Sequence, residues 1–141
     1  MKTSERGIEL IKCHEGLRLK AYRCPAGVWT IGYGHTRDVT EGSVITKDKA
    51  TVFLKSDLKS AENIVNVALS GINQNQFDAL VSFVFNVGSG NFLKSTLLKK
   101  IKAKPTDAAI REEFMKWILA GGKVLPGLEK RRKDEADIFF S

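Results

Sequence analysis

Glu15-Gly16-Leu17-Arg18-Leu19-Lys20-Ala21-Tyr22-Arg23-Cys24-Pro25-Ala26-Gly27-Val28-Trp29-Thr30-Ile31-Gly32-Tyr33-Gly34-His35-Thr36 is where this 141-residue chain changes its period. Leu17, Leu19 and Ala21 alternate with Arg18 and Lys20, Pro25-Ala26-Gly27 supplies turn chemistry, and Val28-Trp29-Thr30-Ile31 resumes β-prone residues, so the stretch reads as a β-hairpin. Gly32 and Gly34 on either side of Tyr33 permit a bulge or a close backbone approach, and a further short strand is expected around residues 40–45.

Outward from the hairpin the pattern is helical on both sides. Residues 4–15 read as a short helix with Thr3 or Ser4 as N-cap, Ile8 and Ile11 on one face, and Gly16 closing it in a left-handed conformation. Glu15 then falls in the last turn. On the other side Thr46 caps a long helix to about Leu69, in which Phe53, Leu54, Leu58, Ala61, Ile64, Val65 and Ala68 recur at three and four. Asn73 and Gln76 fit a capping box that opens a largely apolar helix ending at Gly88, with Gly88-Ser89-Gly90 as a stop. Three more helices are expected: residues 95–102, residues 105–120 with Gly121-Gly122 as terminator, and residues 128–140. The expectation is a single α+β domain over residues 1–141. A small β lobe spans about 17–45, a connecting helix about 47–69, and a helical lobe about 73–141 includes the N-terminal helix.

Composition narrows the class. Hydrophobic residues make up 43% and charged residues 28%, which excludes disordered and fibrous chains. No apolar run approaches the roughly 18–20 residues a membrane span needs, and the start at Met1-Lys2-Thr3-Ser4-Glu5-Arg6 has no apolar signal-peptide core. Cys13 and Cys24 are too few and too irregularly placed for a disulfide framework or a zinc site; Cys13 is expected to be buried and inert. The net charge of +7 is uneven, with 12 basic and 4 acidic residues between Lys94 and Lys133. One part of the molecule therefore attracts polyanions without specifying which.

Familiar signatures fail. Gly32-Tyr33-Gly34-His35-Thr36-Arg37 lacks the third glycine of a dinucleotide loop, and His14-Glu15-Gly16-Leu17-Arg18 lacks the second histidine of a zinc protease. What remains is Glu15 at a helix end, Cys24 at the hairpin and Thr30 on its second strand. A carboxyl group at the negative end of a helix dipole, beside apolar side chains, is held toward the protonated state that a general acid needs. A thiol or thiolate and a hydroxyl can hold one water, as an inverting glycosidase requires on the far face of the sugar.

Glu15, Cys24 and Thr30, with the residues between them, resemble the glutamate, aspartate-or-cysteine, threonine pattern of phage endolysins of the T4-lysozyme-like muramidase family. Gln76-Phe77-Asp78-Ala79-Leu80-Val81-Ser82-Phe83-Val84-Phe85-Asn86-Val87-Gly88 is similar to a later family block, as are Trp117, the run from Gly121 to Leu128, and Arg131-Arg132. The resemblance spans nearly the whole chain. It implies a lysozyme-like fold with a cleft between the β lobe and the helical lobe. It also implies hydrolysis of the β-1,4 bond between N-acetylmuramic acid and N-acetylglucosamine in bacterial peptidoglycan. Glu15 would protonate the leaving oxygen, while Cys24 and Thr30 would position the water. Cys24 departs from the commoner aspartate, and a neutral thiol is a poor base, so either its ionisation is eased or Thr30 orients the water. Tyr33, Phe85, Asn86, Arg131 and Arg132 are the candidate substrate-binding residues, with one of the two arginines reaching the acid.

No cofactor and no metal are expected. The partners implied are peptidoglycan, an anionic envelope surface met by Lys94 to Lys104, and a pore-forming protein for release from the host cytoplasm to the periplasm. A monomer that binds no nucleic acid is expected. Each site residue has a plainer reading: Glu15 as a surface partner of Arg18, Arg131 or Arg132, Cys24 as hairpin packing, Thr30 as a β-former, His35 as a structural hydrogen bonder. Two rival functions also stand. A lytic transglycosylase would use Glu15 alone and leave anhydro ends lighter by one water; a basic polyanion-binding protein would cleave nothing and show a steep salt slope.

Overall fold

A computed structural model describes residues 1–141, which group into two compact units: residues 11–60, and residues 1–10 together with 61–141. The element order is α1(Glu5–Glu15), β1(Arg18–Arg23), β2(Trp29–Gly32), α2(Lys47–Ala68), α3(Gln74–Val87), α4(Ser89–Lys94), α5(Thr96–Ala103), α6(Ile110–Phe114), β3(Leu119–Ala120), β4(Lys123–Val124) and α7(Pro126–Phe139). This is the expected α+β, lysozyme-like arrangement of helices with small antiparallel sheets. No helix is long and apolar enough to cross a membrane.

In the unit of residues 11–60, β1 and β2 pair antiparallel with Tyr22 opposite Thr30 and Arg23 opposite Trp29, and the register shifts between Arg18 and Tyr22. The expected third strand is reduced to one bridge, Lys20 to Val44, flanked by amide bonds from Ala21 to Ser43 and from Ile45 to Leu19. Ile31, Ala50, Leu54 and Leu58 are buried. Gly32, at φ 65°, brings its backbone so near Ala50 that a Cβ would meet the alanine methyl at 3.3 Å. Thr46 caps α2 as read, its hydroxyl accepting from Lys49 N at 3.1 Å. Cys13 is exposed, contrary to expectation, because it lies about 200° around the helix from buried Ile11.

In the other unit α3 packs chiefly against α7. Its capping box forms as read, with Asn73 Oδ1 accepting from Gln76 N at 2.8 Å and Gln76 Oε1 accepting from Asn73 N at 2.9 Å. Phe77, Leu80, Val81, Phe83 and Val84 are buried in the centre of this unit. Asp78, also buried, accepts from the amide and hydroxyl of Ser4 at the start of α1. Gly7 leaves room for it, since a Cβ there would come within 2.7 Å of Asp78 Cγ.

Three expectations are corrected. Gly88, at φ 93°, does end α3, but its carbonyl accepts from Phe92 N at 3.1 Å and starts α4 at once. The helix expected over residues 105–120 shrinks to α6, because Asp107 turns its carboxylate onto Ala109 N at 2.9 Å and holds the preceding residues in a turn. Gly121 and Gly122, at φ 58° and 78°, are not a helix stop but the two-residue turn between β3 and β4, where both central residues need positive φ.

Candidate active site

Glu15 is the last residue of α1. Gly16, at φ 74°, closes the helix by donating its amide to the Lys12 carbonyl at 3.1 Å. The Glu15 carboxylate lies against the backbone of Gly34, so closely that a Cβ at that glycine would stand 3.2 Å from Oε1. Gly34 sits at φ 81° in a tight turn closed by reciprocal amide bonds between Ile31 and His35, 2.9 and 2.8 Å long. His35 anchors this turn from beneath: its Nδ1 is 2.7 Å from Asp57 Oδ2, and its ring stacks on Phe53 with centroids 4.2 Å apart. The histidine is thus the buried structural hydrogen bonder expected of it.

Cys24 and Thr30 meet at the other end of β2. The hairpin turn is closed by Cys24 N donating to Val28 O at 3.0 Å and Gly27 N donating to Cys24 O at 2.8 Å. The Thr30 hydroxyl is 3.0 Å from Val28 O and also within hydrogen-bonding reach of the Cys24 sulfur. The Val28 amide above all holds the Cys24 thiol below its usual pKa. Partial burial opposes it, and the Ala26 amide and Thr30 hydroxyl add to the lowering. A single hydroxyl proton serves one acceptor at a time: the Val28 carbonyl when Cys24 is a thiol, the sulfur when it is a thiolate. Cys13 and Cys24 are both free thiols.

Tyr33, in the same unit, is only 5% exposed, and Lys12 Nζ lies 5.4 Å from its ring centroid. Its ring is therefore not an open platform for a sugar.

The remaining candidates belong to the other unit. Phe85 is half-buried and Asn86 exposed at the end of α3. Arg131 and Arg132, one of which is expected to reach the acid, are 3% and 0% exposed. Both bind Glu135, which is fully buried: Arg132 Nη1 donates to Oε1 at 2.6 Å and Arg131 Nε to Oε2 at 3.3 Å. Ser82 donates to the same carboxylate at 2.5 Å, and Arg132 Nη2 donates to Asn86 Oδ1. Burial pushes the Glu135 carboxyl up and the Arg132 guanidinium down in pKa, while the opposite charges pull each back toward its ionised form. Glu135 and Ser82 were not singled out from the sequence. The signal was there: Glu135 follows Arg132 by three and Arg131 by four on α7, and Ser82 and Asn86 are the polar steps in the otherwise apolar second half of α3, residues 79–87.

A cavity of about 380 Å³ opens beside this network, walled by Asn86 together with Asn91, Lys116 and Trp117. Lys116 and Trp117 come from a segment read as helix interior, so that Lys116 was not singled out and Trp117 only as part of a family block.

A helix, a β-hairpin, a long helix and a helical remainder, in that order, make up a fold shared with solved phage lysozymes, which are cell-wall glycoside hydrolases. The phage lysozyme family model matches residues 12–135, and the chain belongs to that family. It is a peptidoglycan hydrolase, a lysozyme or muramidase. It is 48% identical to an endolysin of Acyrthosiphon pisum secondary endosymbiont phage 1, covering 100% of this chain and 99% of that one. It is 39% identical to the endolysin of Salmonella phage P22, covering 100% and 99%. Among solved structures, the muramidase domain of SpmX from Asticaccaulis excentricus superposes with a TM-score of 0.91 at 38% identity, covering 99% of this chain and 98% of that chain.

Proposed function

We propose that this lysozyme cleaves the β-1,4 bond between N-acetylmuramic acid and N-acetylglucosamine, with Glu15 as general acid and Cys24 with Thr30 holding the attacking water. The observation that carries this reading is the Cys24–Thr30 pair: a thiol whose ionisation is eased by backbone amides, hydrogen-bonded to a hydroxyl fixed on β2. A thiolate accepts a proton from water, which a thiol does poorly, while the threonine oxygen orients that water. Glu15, fixed against Gly34 at the other end of the same strand and turn, supplies the proton for the leaving oxygen. A single displacement by water inverts the anomeric centre. The lysines around α5 bring the enzyme to the anionic wall, where it works on the periplasmic side of the inner membrane.

The test is turbidity loss of purified sacculi together with mass analysis of the fragments. Glu15→Gln is expected to lower kcat at least about 10³-fold with an unchanged melting temperature. Cys24→Asp is expected to keep a good part of the activity and Cys24→Ser to lose most of it. Full activity in Glu15→Gln sinks the assignment, and fragments with anhydro ends would replace hydrolysis by transglycosylation.

A further inference from the structure

Two cation–π pairs stand on neighbouring rungs of the β1–β2 hairpin. Arg23 lies opposite Trp29, with its guanidinium 5.3 Å from the centre of that ring. Tyr22 lies opposite Thr30 and carries the guanidinium of Arg18 at 4.6 Å from its own ring centre. Successive side chains of a strand point to opposite faces, so Arg23 and Trp29 occupy one face while Tyr22, Arg18 and Thr30 share the other. Directly opposed residues have Cβ atoms about 4.5–5.5 Å apart, which makes Tyr22 the cross-strand neighbour of the candidate catalytic hydroxyl. Tyr22 is half-buried and Arg18 is exposed.

A ring holds a guanidinium in place without cancelling its charge, as a carboxylate would. Laid over the ring, Arg18 keeps its N–H groups at the rim of the guanidinium plane, where a carboxylate can take two of them at once. The local sequence adds charge of the same sign: residues 16–37 contain Arg18, Lys20, Arg23 and Arg37 and neither Asp nor Glu. Beside Thr30 this combination suits an anionic group better than a neutral sugar hydroxyl. In the reading proposed above, the water at Thr30 attacks the anomeric carbon of muramic acid, the sugar that bears the stem peptide. We propose that Arg18, held on Tyr22, receives a free carboxylate of the stem peptide on the sugar under attack and is a specificity-determining residue of the hairpin. The assignment rests on that reading and deepens it: the face that activates the water also reads the charge of the chain attached to the sugar.

The test pairs a change in the enzyme with a change in the substrate. The full chain is assayed on native sacculi with diaminopimelate stems and on the same sacculi after their carboxyl groups are converted to amides with carbodiimide and ammonia. Arg18→Gln is expected to lower kcat/KM about tenfold on native sacculi and less than twofold on amidated ones. Tyr22→Leu, which removes the ring, should lose the same preference, and Tyr22→Phe should keep it. Arg23→Gln removes an equal charge from the opposite face and should leave the ratio between the two substrates at the wild-type value. Equal loss on both substrates in Arg18→Gln, no loss on either, or the same change of ratio in Arg23→Gln overturns the assignment. Melting curves confirm that each variant is folded. A failed glycosidase reading shows instead as full activity in Glu15→Gln, whereas a failed Arg18 assignment shows only in the ratio between native and amidated sacculi.

Discussion

At the residue scale the pair that most needs its surroundings is Cys24 with Thr30. The thiol's pKa lies below its usual value, so the thiolate fraction at a given pH is larger than for a free cysteine, and it shrinks as pH falls through that lowered value. If the thiolate holds the water, kcat/KM should fall on the acid side of the optimum along the thiol ionisation. Cys24→Asp, which ionises lower still, should move that limb to more acidic pH; an unmoved limb would show that another group sets it. Glu135 makes the opposite kind of demand, since its carboxylate balances two buried guanidinium groups. Removing one partner of a buried charge cluster is far costlier than replacing all of it, so Glu135→Ala should destabilise by about 3–5 kcal/mol in chemical denaturation. A loss under 1 kcal/mol would mean that water reaches the arginines.

At the scale of elements, α1 and the turn after β2 have to arrive together, and Gly34 is where they meet. Its positive φ would cost an alanine about 1–2 kcal/mol, and the added Cβ would also crowd the Glu15 carboxylate at 3.2 Å. Gly42, at φ 85° with nothing within 4 Å of its Cβ position, faces the backbone cost alone. Gly34→Ala and Gly42→Ala should therefore lose similar stability, while only Gly34→Ala loses kcat, by about 10²-fold. Equal activity in the two would detach Gly34 from the acid's placement. The elements most legible in the sequence were those whose ends are chemically marked: the box of Asn73 and Gln76, the cap at Thr46 and the glycine after Glu15. The stretch from Pro105 to Val124 was misread because its apolar residues recur at helical spacing, whereas the turn at Asp107 delays α6 and Gly121-Gly122 turns β3 back onto β4.

At the scale of the whole molecule the basic residues divide into two populations. Lys130, Lys133 and Arg111 are matched by Asp134, Glu129 and Asp137, and Lys100 and Lys116 by Glu113. Lys94, Lys99, Lys102 and Lys104 are exposed and stand without a carboxylate partner. Exposed charges act over about one Debye length, so these four should raise the encounter rate with an anionic sacculus at low salt and add little at high salt. Changing all four to Gln is expected to raise KM on sacculi several-fold at low ionic strength and to flatten the salt dependence, with kcat unaltered. An identical salt profile would mean that the charge lies elsewhere. The sequence by itself determined the order of elements from α1 to α3, the caps of those helices and the three residues offered as catalytic, because period, capping and hairpin spacing are written in neighbours a few positions apart. The joining of Arg131, Arg132, Glu135, Ser82 and Asn86, and the contact of Gly34 with Glu15, were decided only by tertiary structure. Those contacts link residues that are distant along the chain, and buried polar groups take whichever partners the packed elements bring within reach.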